Sequence, residues 1–126
     1  MPSSIKEMLA AANAGVSKIT PDEAKRLISE DGALLLDVRD AQELSASGKL
    51  DGALNVSRGM LEFRADILSP YHNPEFRPDR PVILYCASGG RSCLSGKALQ
   101  DLGYTKVHNL GAFKEAAEAG FPIEAA

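Results

Sequence analysis

A cysteine, two glycines, two serines and an arginine stand within seven residues in Cys86-Ala87-Ser88-Gly89-Gly90-Arg91-Ser92. A short apolar run rich in strand formers, Val82 to Tyr85, leads into the cysteine, and the segment from Arg91 onward reads as helix. A strand, a tight glycine-bearing loop and a helix N-terminus make an anion cradle, because backbone N–H groups and the helix dipole converge on one point. A thiol at the mouth of such a cradle has a lowered pKa, since the same donors stabilise its thiolate. Cys86 is therefore read as a nucleophile that handles a small anionic substrate. The competing reading, a small buried core residue, suits the end of a strand entering a Ser-Gly-Gly loop poorly.

The neighbours of Cys86 fit the same chemistry. Arg91 would sit at a helix N-terminus, where a cation is unfavourable for the dipole and an anion in the cradle would offset the cost. Gly89 and Gly90 permit positive φ and close approach of backbone N–H groups to a ligand. Ser88 and Ser92 carry hydroxyls able to donate to the bound group. Cys93 falls in the first turn of the helix and is read as packing rather than as a resolving thiol. Asp37 and Arg39, at the end of an earlier apolar run, are read as a loop-bracing ion pair. Arg58, Glu62 and Arg64 could form the far wall of a pocket, with Arg58 the substrate-binding candidate among them; a solvated charged face is the alternative. Cys86, Cys93, His72 and His108 match no zinc-ligand spacing, and neither histidine has a context that marks it as the base of a cysteine protease. No metal and no cofactor are expected.

Around this stretch, predicted strands and helices alternate. An Ala-rich helix is predicted from about Ser4 to Ala14, and a short strand over Val16 to Ile19. Thr20-Pro21-Asp22-Glu23 has the N-cap, first-turn proline and capping-box acid of a helix start; that helix should close before Gly32. Ala33 to Val38 reads as a strand covered on both faces, and Asp40 with Glu43 opens a short helix that fails near Gly48. A brief strand over Ala53 to Val56 and a helix from Ser57 to about Asp66 follow. Residues 68–81 are irregular and proline-rich, a long surface connection. After the Val82 strand come a helix over Arg91 to Leu102, a strand at Lys106 to Asn109, and a last helix from about Ala112 to Ala119. Strands alternating with helices imply parallel pairing and an α/β layered fold. Ligands in such sheets sit beyond the carboxyl ends of the strands, where Cys86 lies.

With 126 residues, 44% hydrophobic and 25% charged, the chain suits one domain of ordinary globular composition. Fourteen basic against seventeen acidic residues, net -3, with no Lys/Arg block, argue against a nucleic-acid or polyanion binder. Nothing resembles a signal peptide or a membrane span. Two cysteines point to thiol chemistry in a reducing compartment, so a cytoplasmic location without membrane association is expected.

The chain resembles the rhodanese-like sulfurtransferase superfamily, in its single-domain form. The resemblance rests on Leu35-Leu36-Asp37-Val38-Arg39, on Gly48-Lys49-Leu50-Asp51-Gly52-Ala53-Leu54-Asn55-Val56, on Leu84 to Ser92, on Leu102-Gly103-Tyr104 and on Val107-His108-Asn109-Leu110-Gly111. It implies a three-layer fold with a central parallel five-stranded sheet flanked by helices. Residues 1–126 would form one domain, with 1–15 a helical extension and 122–126 a frayed tail. It also implies a Cys86 persulfide, formed from a small anionic donor such as thiosulfate and passed to cyanide or a thiol acceptor, including a thiol protein. The amides of Ala87, Ser88, Gly89 and Gly90 would hold the terminal sulfur, and Arg91 the donor. Where the family often has histidine and proline, this chain has Lys49 and Asp51; Ala112 and Ala116 replace a usual glycine and tryptophan. Segment Ser57 to Arg80 is longer than in the shortest relatives and is expected to shape one wall of the site. Two other readings differ in class: a persulfide carrier or binding module without free turnover, and a phosphatase or arsenate reductase of the same fold. The latter have a loop one residue longer than the four residues between Cys86 and Arg91.

Overall fold

The computed structural model describes residues 2–126. Ser4 caps α1 (Ile5–Gly15) through a reciprocal capping box with Glu7, and Thr20 does the same with Glu23 for α2 (Pro21–Asp31). Each box satisfies two N–H groups that the first helical turn leaves without partners. Between these helices lies β1 (Ser17–Lys18). The chain continues through β2 (Leu34–Asp37), α3 (Ala41–Ser47), β3 (Lys49–Leu50) and β4 (Leu54–Asn55), then a 3-10 turn at Arg58–Met60, α4 (Leu61–Ala65) and β5 (Val82–Cys86). It ends with α5 (Gly90–Asp101), β6 (Val107–Ala112), α6 (Phe113–Glu118) and β7 (Ile123–Glu124).

The main sheet has five strands, all parallel, in the order β1-β6-β5-β2-β4. β2 and β5 are central and buried along their whole length, as continuous apolar runs require. Alternation along them divides the core in two. Leu34, Leu36, Val82, Leu84 and Cys86 face a cluster with Leu61, Phe76, Leu99 and Tyr104. Leu35, Ile83 and Tyr85 face Ala24, Leu50, Ala116 and Phe121 on the opposite side. Each fully buried leucine here is worth about 1.5–3 kcal/mol of transfer free energy, so the layers and the strand register specify one another.

α5 lies close to the sheet because Gly96 has no side chain. A Cβ there would stand 2.9 Å from the Val16 side chain and 3.2 Å from that of Val107. The close approach sets where the N-terminus of α5 meets the end of β5. β5 and β6 also slip in register between Leu84 and Tyr85: Leu84 pairs with Asn109, but Tyr85 pairs with Gly111. The extra β6 residue is a bulge, a device that re-aims side chains beside a site.

Three expectations are corrected. The helix expected from Ser57 is divided: the 3-10 turn at Arg58–Met60 precedes a short α4. The tail 122–126, expected to fray, contains β7, which pairs antiparallel with β3; the Glu124 carboxylate also accepts from the Gly52 N–H at 2.7 Å. β6 runs to Ala112, three residues past its expected end at Asn109, because parallel pairing with β5 continues to Cys86. No helix of the described residues is long and apolar enough to cross a membrane.

Candidate active site

Gly89 is the N-cap of α5 in the left-handed region, φ 99°, a conformation open to glycine at no steric cost. That turn folds the loop back over its own cysteine. The Gly89 N–H donates to Cys86 Sγ at 3.0 Å and the Ser92 N–H at 3.4 Å, with the Ser92 hydroxyl at 3.5 Å. Burial alone would raise the Cys86 thiol pKa. With the Ser92 hydroxyl turned to the sulfur, that donor and the amides of Ser92, Gly89 and Ser88 outweigh the effect and bring it below its ordinary value. Ala87 and Ser88 are exposed at the loop rim, Gly89 and Gly90 half-buried, Ser92 buried. The structure therefore brings Cys86 and the predicted loop positions together.

The two predicted arginines each hold an ion pair of their own. Arg91 donates through both guanidinium ends to Glu43, 48 residues away in the chain, at 2.6 and 2.9 Å. The pair is part-exposed; the hydrogen bonds from Arg91 hold the Glu43 carboxyl down to about 2. Arg91 thus ties α5 to α3 rather than presenting a free guanidinium to the loop centre. Arg58 bonds Glu62 at 2.7 Å and lines a cavity with Glu7, Met8, Leu94 and Lys97, between α1, α4 and α5. None of the loop residues lines that cavity, so the structure does not join Arg58 to Cys86. Segment Ser57 to Arg80 packs into the core through Leu61 and Phe76, and Tyr104 Oη donates to Ala65 O at 2.7 Å. These contacts anchor the segment on the core.

Asp37 and Arg39 form the expected brace. They are 0% and 3% exposed and joined at 2.8 Å. Arg39 also donates to Ser47 Oγ and Gly48 O, each at 2.8 Å, and lies 4.3 Å from the Phe113 ring centroid. It fixes α3, whose Glu43 then holds Arg91. Cys93 is buried, with its Sγ donating to Asn13 Oδ1 at 3.2 Å; burial raises its pKa. Among the described residues no cluster of His, Cys, Asp and Glu could hold a metal ion.

Two residues of the site were missed in the sequence reading. Lys18, at the carboxyl end of β1, lines a cavity of about 550 Å³ with Ser88, Gly89, Gly90, Cys93 and Asn109. It is exposed and makes no ion pair among the described residues. Its position at a strand's carboxyl end was the available signal. Asn109, 5% exposed on β6, accepts from the Ser92 hydroxyl at 2.7 Å and donates to Gly89 O at 3.3 Å.

A family model described as a rhodanese-like domain matches residues 20–119, leaving α1 outside the match. The thiosulfate sulfurtransferase GlpE of Actinobacillus succinogenes is 34% identical, over 87% of this chain and 92% of its own length. A Rhodopseudomonas palustris protein of unknown function, described as a possible tyrosine phosphatase, superposes with TM-score 0.86 at 39% identity over 98% of this chain and 99% of its own. The polysulfide-sulfur transferase homodimer of Wolinella succinogenes superposes with TM-score 0.74 at 32% identity, covering 94% of this chain and 85% of its own.

Proposed function

The chain belongs to the rhodanese-like family, and from that premise we propose that it is a sulfurtransferase in which Cys86 carries the sulfur as a persulfide. One observation carries the reading: the buried Cys86 sulfur accepts from the Gly89 and Ser92 amides, 3.0 and 3.4 Å away. Donors so placed hold a thiolate without a partner base. The thiolate attacks the outer sulfur of thiosulfate. A sulfur–sulfur bond forms to Cys86, the bond to the sulfonate sulfur breaks, and sulfite leaves with the electron pair. The terminal sulfur now bears the negative charge, and the loop amides stabilise it. Cyanide or a thiolate then attacks that sulfur, leaving as thiocyanate or a new persulfide and returning Cys86 as thiolate. With Arg91 bound to Glu43, Lys18 is the cation set beside the loop to attract an anionic donor.

The R. palustris relative's description favours a phosphatase as second reading. Against it, four residues rather than five separate Cys86 from Arg91, and the arginine that would clamp a phosphate is held by Glu43. Hydrolysis of an aryl phosphate by the wild type, lost in Cys86→Ser, would favour it.

The deciding measurement is intact mass after thiosulfate treatment. The expected result is a gain of one sulfur atom, removed by cyanide and absent from Cys86→Ser. An adduct on that variant, or none on the folded wild type, overturns the assignment.

A further inference from the structure

The Ser92 hydroxyl has one proton and three acceptors around it. Asn109 Oδ1 is at 2.7 Å, Gly89 O at 3.1 Å and Cys86 Sγ at 3.5 Å. A hydroxyl donates once, so it cannot serve the sulfur and Asn109 together. The shortest contact belongs to Asn109, and a sulfur contact of 3.5 Å also suits the reverse direction, with the thiol donating to Ser92 Oγ. Asn109 cannot readily turn its amide round. Its Nδ2 donates to Gly89 O, and a flip would set Oδ1 against that carbonyl, acceptor facing acceptor. Asn109 is nearly enclosed, so giving up the hydroxyl would leave Oδ1 buried without a donor, which is costly. The register slip completes the arrangement. Asn109 pairs with Leu84, two positions before Cys86 on the same face of β5, and the bulge follows directly after it.

We propose that Asn109 is a positioning residue that tunes Cys86 by competing with its sulfur for the Ser92 hydroxyl proton. While Asn109 holds that proton, the sulfur has only backbone donors, and the hydroxyl oxygen is left free to accept from the neutral thiol. When the hydroxyl turns to the sulfur, the thiolate gains a further donor and Asn109 Oδ1 loses one. The balance between the two arrangements sets how readily the sulfur ionises. This rests on Cys86 being the reactive thiol. The charged and titratable groups beside the loop are Arg91 and Cys93 on α5, with Arg91 closed by Glu43 of α3, and Lys18 at the end of β1. None of them touches the Ser92 hydroxyl, so the competition is separable from their charges.

The test is the pH profile of Cys86 alkylation by iodoacetamide, read by mass on the full chain in a Cys93→Ser background. Four proteins are compared: the parent, Asn109→Ala, Ser92→Ala and the double variant. Asn109→Ala should move the Cys86 midpoint to lower pH, raising the alkylation rate below the midpoint by on the order of tenfold, the scale of one hydrogen bond to a charged group. Ser92→Ala should barely move the midpoint in the parent but raise it clearly in the Asn109→Ala background. Equal effects of Ser92→Ala in both backgrounds, or an unmoved or higher midpoint in Asn109→Ala, overturn the proposal. A residue that merely supports the loop would lower the melting temperature without producing this coupling. If Asn109→Ala does not fold, Asn109→Val retains strand-compatible bulk and poses the same question. The titration reads ionisation, not sulfur transfer, so it can fail while the Cys86 adduct stands, and the reverse.

Discussion

Cys86 and Cys93 are buried to nearly the same degree, at 0% and 2% exposure, yet their thiols shift in opposite directions. Desolvation raises both. What separates them is the supply of donors. Cys86 lies at the end of a strand beneath a loop whose amides turn inward, and two N–H groups reach its sulfur. Cys93 lies one helical step further on, where its own N–H is already bonded to Gly89 O at 3.1 Å and its sulfur donates to an asparagine. A thiol that must donate is held neutral; a thiol that accepts is held ready to ionise. Burial therefore says little about a cysteine's reactivity until its hydrogen bonds are counted.

The comparison breaks most visibly if the two thiols react alike. Below the ordinary thiol range, Cys86 should alkylate faster than Cys93, by about tenfold for each pH unit that separates the two midpoints. The Cys86 rate should reach half its plateau below the pH of a free thiol, and the Cys93 rate above it. Peptide mapping after a timed pulse of iodoacetamide at several pH values measures both in one sample. Equal rates would remove the loop amides as an explanation.

A second, smaller effect follows from the backbone that aims those amides. Gly89→Ala places a side chain at φ 99°, 3.4 Å from the Gly111 Cα, a strain of about 1–3 kcal/mol. The loop should relax, drawing the Gly89 N–H off Cys86 Sγ. The expected outcome is lower stability in urea and a Cys86 midpoint moved upward, with the Cys93 midpoint unchanged. If both thiols move together, the substitution has disturbed the whole helix start and not the cradle.

How far this site could be read from the chain depends on the distance over which its parts interact. The cradle was legible because strand, glycine turn and helix start are contiguous, and the amides that reach Cys86 come from residues three and six positions on. The Asp37–Arg39 brace was legible for the same reason, its partners being two residues apart. The partner of Arg91 was not legible because its carboxylate comes from Glu43 on another helix, and that acid already had a local role, its carboxylate accepting from the Asp40 N–H at 3.1 Å. Asn109 was invisible as a site residue. It reads as an ordinary strand position until the bulge and the pairing with Leu84 set it beside Ser92. β3 and β7, two residues each, are too short to carry an alternation, and only their mutual pairing makes them strands.

The smallest expected effect concerns Lys18, which borders both thiols' surroundings but should act on only one of them. It lines the cavity shared by Gly89, Gly90 and Cys93, and its charge opposes the upward shift of Cys93. The shift of Cys86 is dominated instead by burial and by hydrogen bonds from Ser92 and Gly89. Lys18→Ala should therefore raise the Cys93 midpoint slightly and leave that of Cys86 in place. An exposed charge acting across solvent contributes about 0–1 kcal/mol, and that range bounds the change. The same variant separates thiol tuning from donor capture. If Lys18 attracts the anionic donor, KM for thiosulfate should rise a few-fold, kcat should hold, and the loss should shrink as added salt screens the charge over about 8–10 Å. A fall in kcat at constant KM would place Lys18 in the chemistry of Cys86 itself, and the division between a donor-fed thiolate and a neutral neighbour would have to be redrawn with Lys18 on the reactive side.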